Sequence, residues 1–267
     1  MLGSDVARAC REYGFTCRAY DLPEFDITHP EQIREVVDTS EVIINCAAYT
    51  DVDKAETEVE PAYKINAESA GRLGTLAKKS GRWVLHISTD FVFDGTLDRA
   101  YVETDLPNPI NCYGKTKLAG EQLLAKSGCK HCIIRTEWTY GKNGDNFISK
   151  IISRAKPGKK MRVVDDQIGS PTSTIELAQT LCKLLPARPK GIFHFAASGY
   201  VSRFEVAKFV LEKLGISVHL SRCKSSDYQM PAKRPLNSRF DCQKIQGLLG
   251  ETIEKWQGPL ERYLKDL

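Results

Sequence analysis

Short, continuous apolar runs alternate along this chain with longer segments of helical periodicity. Val42-Ile43-Ile44 within 41–48, Trp83-Val84-Leu85-His86-Ile87-Ser88 and Cys132-Ile133-Ile134-Arg135-Thr136 read as strands buried on both faces of a parallel sheet. Between them, Tyr63, Asn66, Ala70 and Leu73 mark one face of a long helix ending near Lys79, and a second helix runs from Tyr113 to about Ala125. Strand and helix in alternation predict right-handed crossovers and a doubly wound, Rossmann-like α/β sheet.

The first residues carry a helical pattern with no strand before it. The segment 16–21 reads as a strand ending in Asp21, where a Rossmann unit holds the adenosine ribose. In such a unit Gly3 is the last glycine of G-x-x-G-x-x-G, so the first strand and most of the glycine-rich turn are expected upstream of Met1. Asp26-Ile27-Thr28 is expected to cap a helix over 31–37. Beyond Trp138 the pattern loosens. Pro157-Gly158 marks a turn, 174–185 and 202–214 read as amphipathic helices, and 191–195 reads as a strand. The expected division is a dinucleotide-binding part over 1–142, N-terminally incomplete, and a smaller mixed α/β lobe over 143–267 that returns some elements to the main sheet.

The 267 residues, 42% of them hydrophobic, suffice for a sizeable core. A formal net charge of +4 arises from 38 basic and 34 acidic residues scattered through the chain, so no basic face for nucleic acid stands out. No apolar run approaches the roughly 20 residues of a membrane span, and no signal-peptide pattern opens the chain, so a cytoplasmic address is expected without membrane partners. Nine cysteines lie without framework spacing and read as reduced thiols. Cys129-Lys130-His131-Cys132 resembles half a zinc site, but no second ligand pair has comparable spacing, and no metal is expected.

Candidate chemistry centres on Tyr113 and Lys117. At four residues' separation they share a helical face with Cβ atoms roughly 5–6 Å apart, so the ammonium is expected to lower the phenol pKa from about 10 and let it pass a proton. Thr89 and Asp90 close one apolar run, and Ala47 and Ala48 close another. Such strand ends are where open α/β sheets bind ligands.

These residues, with Tyr49-Thr50, Asp53-Lys54-Ala55-Glu56, Asn66, Phe91-Val92-Phe93-Asp94-Gly95, Arg135-Thr136-Glu137-Trp138, Asp166-Gln167-x-Gly169-x-Pro171-Thr172 and Arg234-Pro235-x-Asn237-Ser238, stand in the order of an extended short-chain dehydrogenase/reductase. Within that group the chain resembles the dTDP-4-dehydrorhamnose reductase family over almost its whole length. The resemblance implies reduction of a dTDP-sugar C4 ketone by NADPH or NADH, with Tyr113 as proton donor, Lys117 as its tuner and ribose ligand, and Thr89 as stabiliser of the oxygen. It implies cofactor contacts from Gly3, Asp21, Asp26, Ile27, Ala47, Ala48, Tyr49 and Asn66, and substrate contacts from Thr89, Asp90, Trp138 and Arg234. Trp138 as core packing and Arg234 as a solvated surface residue stay open, as does a homodimer. Asp21 disfavours a 2′-phosphate on charge, while Arg18 moderates it. The related nucleotide-sugar dehydratases follow Thr-Asp with a Glu base, where this chain has Phe91. A second reading is a non-catalytic subunit similar to the regulatory subunit of methionine adenosyltransferase, which also keeps Tyr-x-x-x-Lys.

Overall fold

The computed structural model describes residues 1–156 and 158–267. Four parallel strands form the main sheet in the order Val42–Asn45, Trp83–Thr89, Lys130–Thr136, Gly191–Phe195. Their side chains point alternately to the two faces. Val84 and Ile133 meet Ile33, Val37, Leu73, Ala77 and Leu124 from the helices Pro30–Thr39, Ser69–Lys79 and Cys112–Lys126. Leu85, Cys132, Ile134, Phe193 and Phe195 face Val6, Ala9, Leu177 and Leu181 from the helices Leu2–Glu12 and Thr174–Leu184. Helices on both faces make the sheet doubly wound. Each fully buried Leu or Ile contributes about 1.5–3 kcal/mol of transfer free energy.

A second core gathers Tyr140, Ile148, Val206, Val210, Trp256 and Leu260. It joins the helices Phe147–Arg154, Arg203–Lys213 and Gln257–Lys265, beside a parallel pair of strands, Lys160–Val164 and His219–Cys223. From the chain's second half, Gly191–Phe195 enters the main sheet and Thr174–Leu184 packs on it.

Three local expectations need correction. Residues 16–21 carry no regular secondary structure and form no strand, because no neighbouring strand among the described residues offers them a hydrogen-bonded ladder. The helix expected over 31–37 spans Pro30–Thr39, and His29 is its N-cap with no side-chain cap bond. Asp26 instead accepts the Thr28 amide (2.8 Å), and the Asp26 amide donates to Gln32 Oε1 (2.6 Å). Val42–Asn45 alternates half-buried and buried positions rather than being buried on both faces, since it is an edge strand. The turn expected at Pro157-Gly158 lies partly outside the described residues; Gly158 is left-handed with φ 74°.

The long helix over 59–79 carries one π turn, Lys64–Glu68, which sets Asn66 off the regular ladder. Gly120 faces it across the helix pair, where a Cβ would overlap the Asn66 carbonyl, so only glycine permits this approach.

Two histidines are sealed inside. His86 lies mid-strand with the Asn45 amide donating to its Nδ1 (3.1 Å), and His194 donates Nδ1–H to the Tyr101 carbonyl (3.1 Å) while stacking on Phe240. Burial holds both below the usual histidine range, His194 at about 3. The unfolded chain therefore takes up protons near pH 6.5 that the fold refuses, so this contribution is present above pH 6.5 and is lost as pH falls, by about 1.4 kcal/mol per unit per group. Glu137, pushed well above the usual range, acts in the opposite sense. A variant comparison isolates one histidine: the change in stability between pH 7.5 and 5.5 should shift by about 1.4 kcal/mol in favour of His194→Gln at the lower pH. Parallel urea curves for wild type and variant at both pH values would sink this assignment.

Candidate active site

The strand ends open into one continuous cleft of about 1800 Å³, which also runs between residues 15–21 and the edge strand Val42–Asn45. Gly3, Asp21, Asp26, Ile27, Ala47, Ala48, Thr89, Asp90, Tyr113, Lys117 and Trp138 all line it. Most of the expected site residues are thus brought together from stretches far apart in the chain.

Tyr113 and Lys117 sit in the first turns of Cys112–Lys126. Asn111 caps that helix by accepting the Gly114 amide (2.7 Å). Gly114 lies against the Phe91 carbonyl, where a Cβ would overlap, so the helix start is pressed onto the turn Asp90–Val92 that follows Thr89. Sequence spacing and close packing together bring phenol and threonine into one corner. The Tyr113 ring meets Phe91 edge-on, with centroids 5.5 Å apart. Lys117 is buried and donates from Nζ to the Ile87 carbonyl (2.6 Å).

The electrostatics depart from the expectation of an acidified tyrosine. Burial pushes the Tyr113 phenol up to about 12; the adjacent Thr89 hydroxyl pulls it down and the Asp90 charge raises it further. Burial also lowers Lys117 to about 8, with the Glu121 carboxylate acting against it. Desolvation disfavours both charged forms and outweighs the helical spacing. In the free protein Tyr113 is therefore a firmly protonated acid.

Thr89 donates from Oγ1 to Asp90 Oδ1 (3.0 Å) and accepts the Phe91 amide (3.2 Å). Asp90 Oδ2 accepts from Ser238 (2.5 Å), and burial raises the Asp90 carboxyl. Trp138 has a left-handed backbone, φ 45°, a conformation that costs a non-glycine residue of order 1–3 kcal/mol. The Arg203 guanidinium lies 3.6 Å from its ring centroid, and Gly169 leaves room for the indole and for Glu137. Trp138 is therefore clamped at the cleft wall, with one ring face covered by protein.

Three expected ligands stand elsewhere. Tyr49 and Asn66 are not among the cleft-lining residues and clip each other together. Asn66 Oδ1 accepts the Tyr49 amide (2.8 Å), its Nδ2 donates to the Tyr49 carbonyl (3.2 Å) and to Thr116 Oγ1 (3.0 Å), and the Tyr49 hydroxyl donates to Glu58 (2.6 Å). These bonds tie the segment after Ala47-Ala48 to the helix pair. Arg234, neither cleft-lining nor freely solvated, forms a bidentate pair with Asp53 (2.7 and 2.6 Å) and donates to the Ala232 carbonyl (2.6 Å). Arg135 is a core residue paired with Glu121.

Sequence reasoning missed Glu137 and Arg203, which also line the cleft. Glu137 is 1% exposed, accepts the Ser170 amide at Oε2 (2.9 Å) and leaves Oε1 buried without a partner among the described residues. The strand-end rule that picked out Thr89-Asp90 applies equally to Thr136-Glu137. No sequence signal marks Arg203. The half zinc site is local packing: Cys129 Sγ lies 3.9 Å from His131 Nδ1, which donates to the Cys129 carbonyl, while Cys132 points into the sheet core. Among the described residues no cluster of metal-ligating side chains occurs, and no helix is long and apolar enough to cross a membrane.

Known proteins are similar to this chain in sequence and fold. Residues 1–267 match the family model for the RmlD substrate binding domain. A dTDP-4-dehydrorhamnose reductase of Escherichia coli K12 is 38% identical over 255 residues, 91% of this chain and 85% of that protein. The structure of a dTDP-4-dehydrorhamnose reductase from Bacillus anthracis in complex with NADP superposes with a TM-score of 0.94 at 34% identity, covering 100% of this chain and 95% of that one. One from Clostridium acetobutylicum also gives a TM-score of 0.94 at 34% identity, over 99% and 95% of the two chains. The reading as a regulatory subunit draws no support from these similarities. With the cleft, the tyrosine–lysine pair and the family model in agreement over the whole sequence, this chain belongs to the dTDP-4-dehydrorhamnose reductase family.

Proposed function

We propose that this protein reduces the C4 ketone of dTDP-4-dehydro-L-rhamnose to dTDP-L-rhamnose with NADPH or NADH. The observation that carries the reading is the meeting of a protonated Tyr113, Thr89 and buried Lys117 in one cleft, on a chain of this family.

The residues present fit a dinucleotide. Gly3, in the first turn of Leu2–Glu12, lines the cleft beside Cys46 at the strand end, and the start of a helix is a favourable place for a pyrophosphate. Asp21 is available to the adenosine ribose, and Asp26 and Ile27 to the rest of the adenosine. Arg18 lines the same cleft and offsets the repulsion between Asp21 and a 2′-phosphate, which supports use of either cofactor. Ala47 and Ala48 expose backbone to close approach. When bound, the reduced nicotinamide supplies the hydride.

The remaining work falls to side chains. Tyr113 gives its phenolic proton to the oxygen at C4 as the ketone becomes an alcohol. That transfer runs downhill, because an alkoxide is a stronger base than a phenolate even at a phenol pKa of about 12. Lys117 holds the nicotinamide ribose and stabilises the phenolate left behind. The Thr89 hydroxyl, turned from Asp90 to the new oxygen, adds a second donor. A cytoplasmic site of action accords with water-soluble nucleotide substrates.

Following nicotinamide absorbance after adding dTDP-4-dehydro-L-rhamnose tests the reading directly. Oxidation of the cofactor is expected, and cofactor binding without turnover would refute it. Lys117 carries its charge below about pH 8 and loses it above, so kcat/KM should fall as pH rises through about 8 while Tyr113 stays protonated. A profile that instead rises through this range would remove Lys117 from its assigned role.

A further inference from the structure

Arg203 opens the helix Arg203–Lys213, directly after the N-cap Ser202. Its backbone is tied down by a bond from its amide to the Gln167 carbonyl (3.2 Å). Its guanidinium is held between two rings, with Cζ 3.6 Å from the Trp138 centroid and 4.7 Å from that of Phe147. Aromatic contacts of this kind fix the plane of the fork and leave its N–H edge free. Among the described residues no acceptor meets that edge, although the side chain lines the cleft beside Thr89 and Asp90.

Nearby carboxylates do not satisfy it. Asp90 already accepts from Thr89 and Ser238, and Glu137 turns Oε2 to the Ser170 amide. Burial raises both carboxyls, Glu137 well above its ordinary range, so the cluster of Asp90, Glu137 and Arg203 carries less negative charge than its composition suggests. A preoriented cation with an open edge therefore faces the sugar side of the cleft. Arg234, by contrast, spends both terminal nitrogens on Asp53 and the Ala232 carbonyl.

We propose that Arg203, rather than Arg234, grips the diphosphate of the nucleotide-sugar substrate, stacked on Trp138 and presenting its fork to the phosphate oxygens. The proposal rests on the reductase reading above. Guanidinium forks match phosphate oxygens in bidentate fashion, and ring stacking lowers the entropy lost on binding. The Trp138 ring thus acts on the substrate through the arginine it supports.

The test is equilibrium binding of dTDP and of thymidine to the NADP-loaded protein, by calorimetry, for wild type, Arg203→Gln and Arg203→Lys. Wild type should prefer dTDP over thymidine. In Arg203→Gln that preference should shrink by about tenfold or more, with thymidine and NADP affinities changed less than about threefold, in line with loss of a charge-assisted bidentate contact. Arg203→Lys, which keeps the charge without the fork, should fall between them. A folded, NADP-binding Arg203→Gln with the wild-type preference would overturn the assignment. Should the glutamine variant not fold, Arg203→Lys decides: an undiminished preference overturns the proposal and a reduced one supports it. The reductase reading fails separately, if the wild type leaves NADPH unoxidised in the presence of the ketosugar.

Discussion

Tyr113→Phe should lower kcat by about 10³-fold while leaving cofactor affinity nearly unchanged. The substitution removes one oxygen and nothing else. The ring keeps its edge-on contact with Phe91, and Lys117 keeps its bond to the Ile87 carbonyl, so neither helix start nor ribose ligand is disturbed. A positioned general acid contributes typically 10²–10⁴-fold, and Thr89 with bound water replaces only part of that. Because the phenol is protonated far above neutral pH, the loss should be nearly uniform from pH 6 to 8. Steady-state rates with fluorescence titration of NADPH measure both quantities. A loss smaller than about tenfold would assign the proton to another donor.

The largest stability effect is expected at Glu121. Its carboxylate accepts from Arg135 Nε (2.9 Å) and Nη2 (2.6 Å) and from the Ser88 hydroxyl, and it ties the Tyr113 helix to two central strands. The side chains of Arg135 and Glu121 are 2% and 4% exposed. Removing one charge leaves the other buried and unpaired, which costs about 3–5 kcal/mol. That is a large part of a total stability of typically 5–15 kcal/mol. Glu121→Ala should therefore lower the urea midpoint sharply, whereas the double variant Glu121→Leu with Arg135→Met should recover most of the loss, since two apolar groups need no partner. The pair is expected to matter for chemistry too. Glu121 raises the Lys117 pKa, so in either variant the decline of kcat/KM with pH should begin lower than in wild type. If Glu121→Ala unfolds at the wild-type midpoint, the pair is not a structural clamp.

Much of the site could be read in advance because its residues sit at ends of regular elements. Thr89 and Asp90 end an apolar run, Ala47 and Ala48 end another, and Tyr113 and Lys117 share a helical face; each position follows from local periodicity. Asn66 and Arg234 show the limit of that reasoning. Both residue types suit a ligand, yet Asn66 is used by Tyr49 and Thr116, and Arg234 by an aspartate 181 positions away. Arg203 escaped notice for the converse reason. Nothing in its own neighbourhood marks it, and its surroundings come from Trp138 and Phe147 in distant segments.

Local sequence determined the alternation of buried strands and amphipathic helices, the parallel sheet and the four-residue spacing of the catalytic pair, since these depend on periodicity over a few turns of chain. Tertiary structure alone decided whether 16–21 becomes a strand, because a strand exists only with a bonded neighbour. It decided also that Tyr113 is held as a firmly protonated acid rather than an acidified phenol. Spacing brings an ammonium close, but the cost of a buried charge depends on everything packed around it, and here desolvation prevails over proximity.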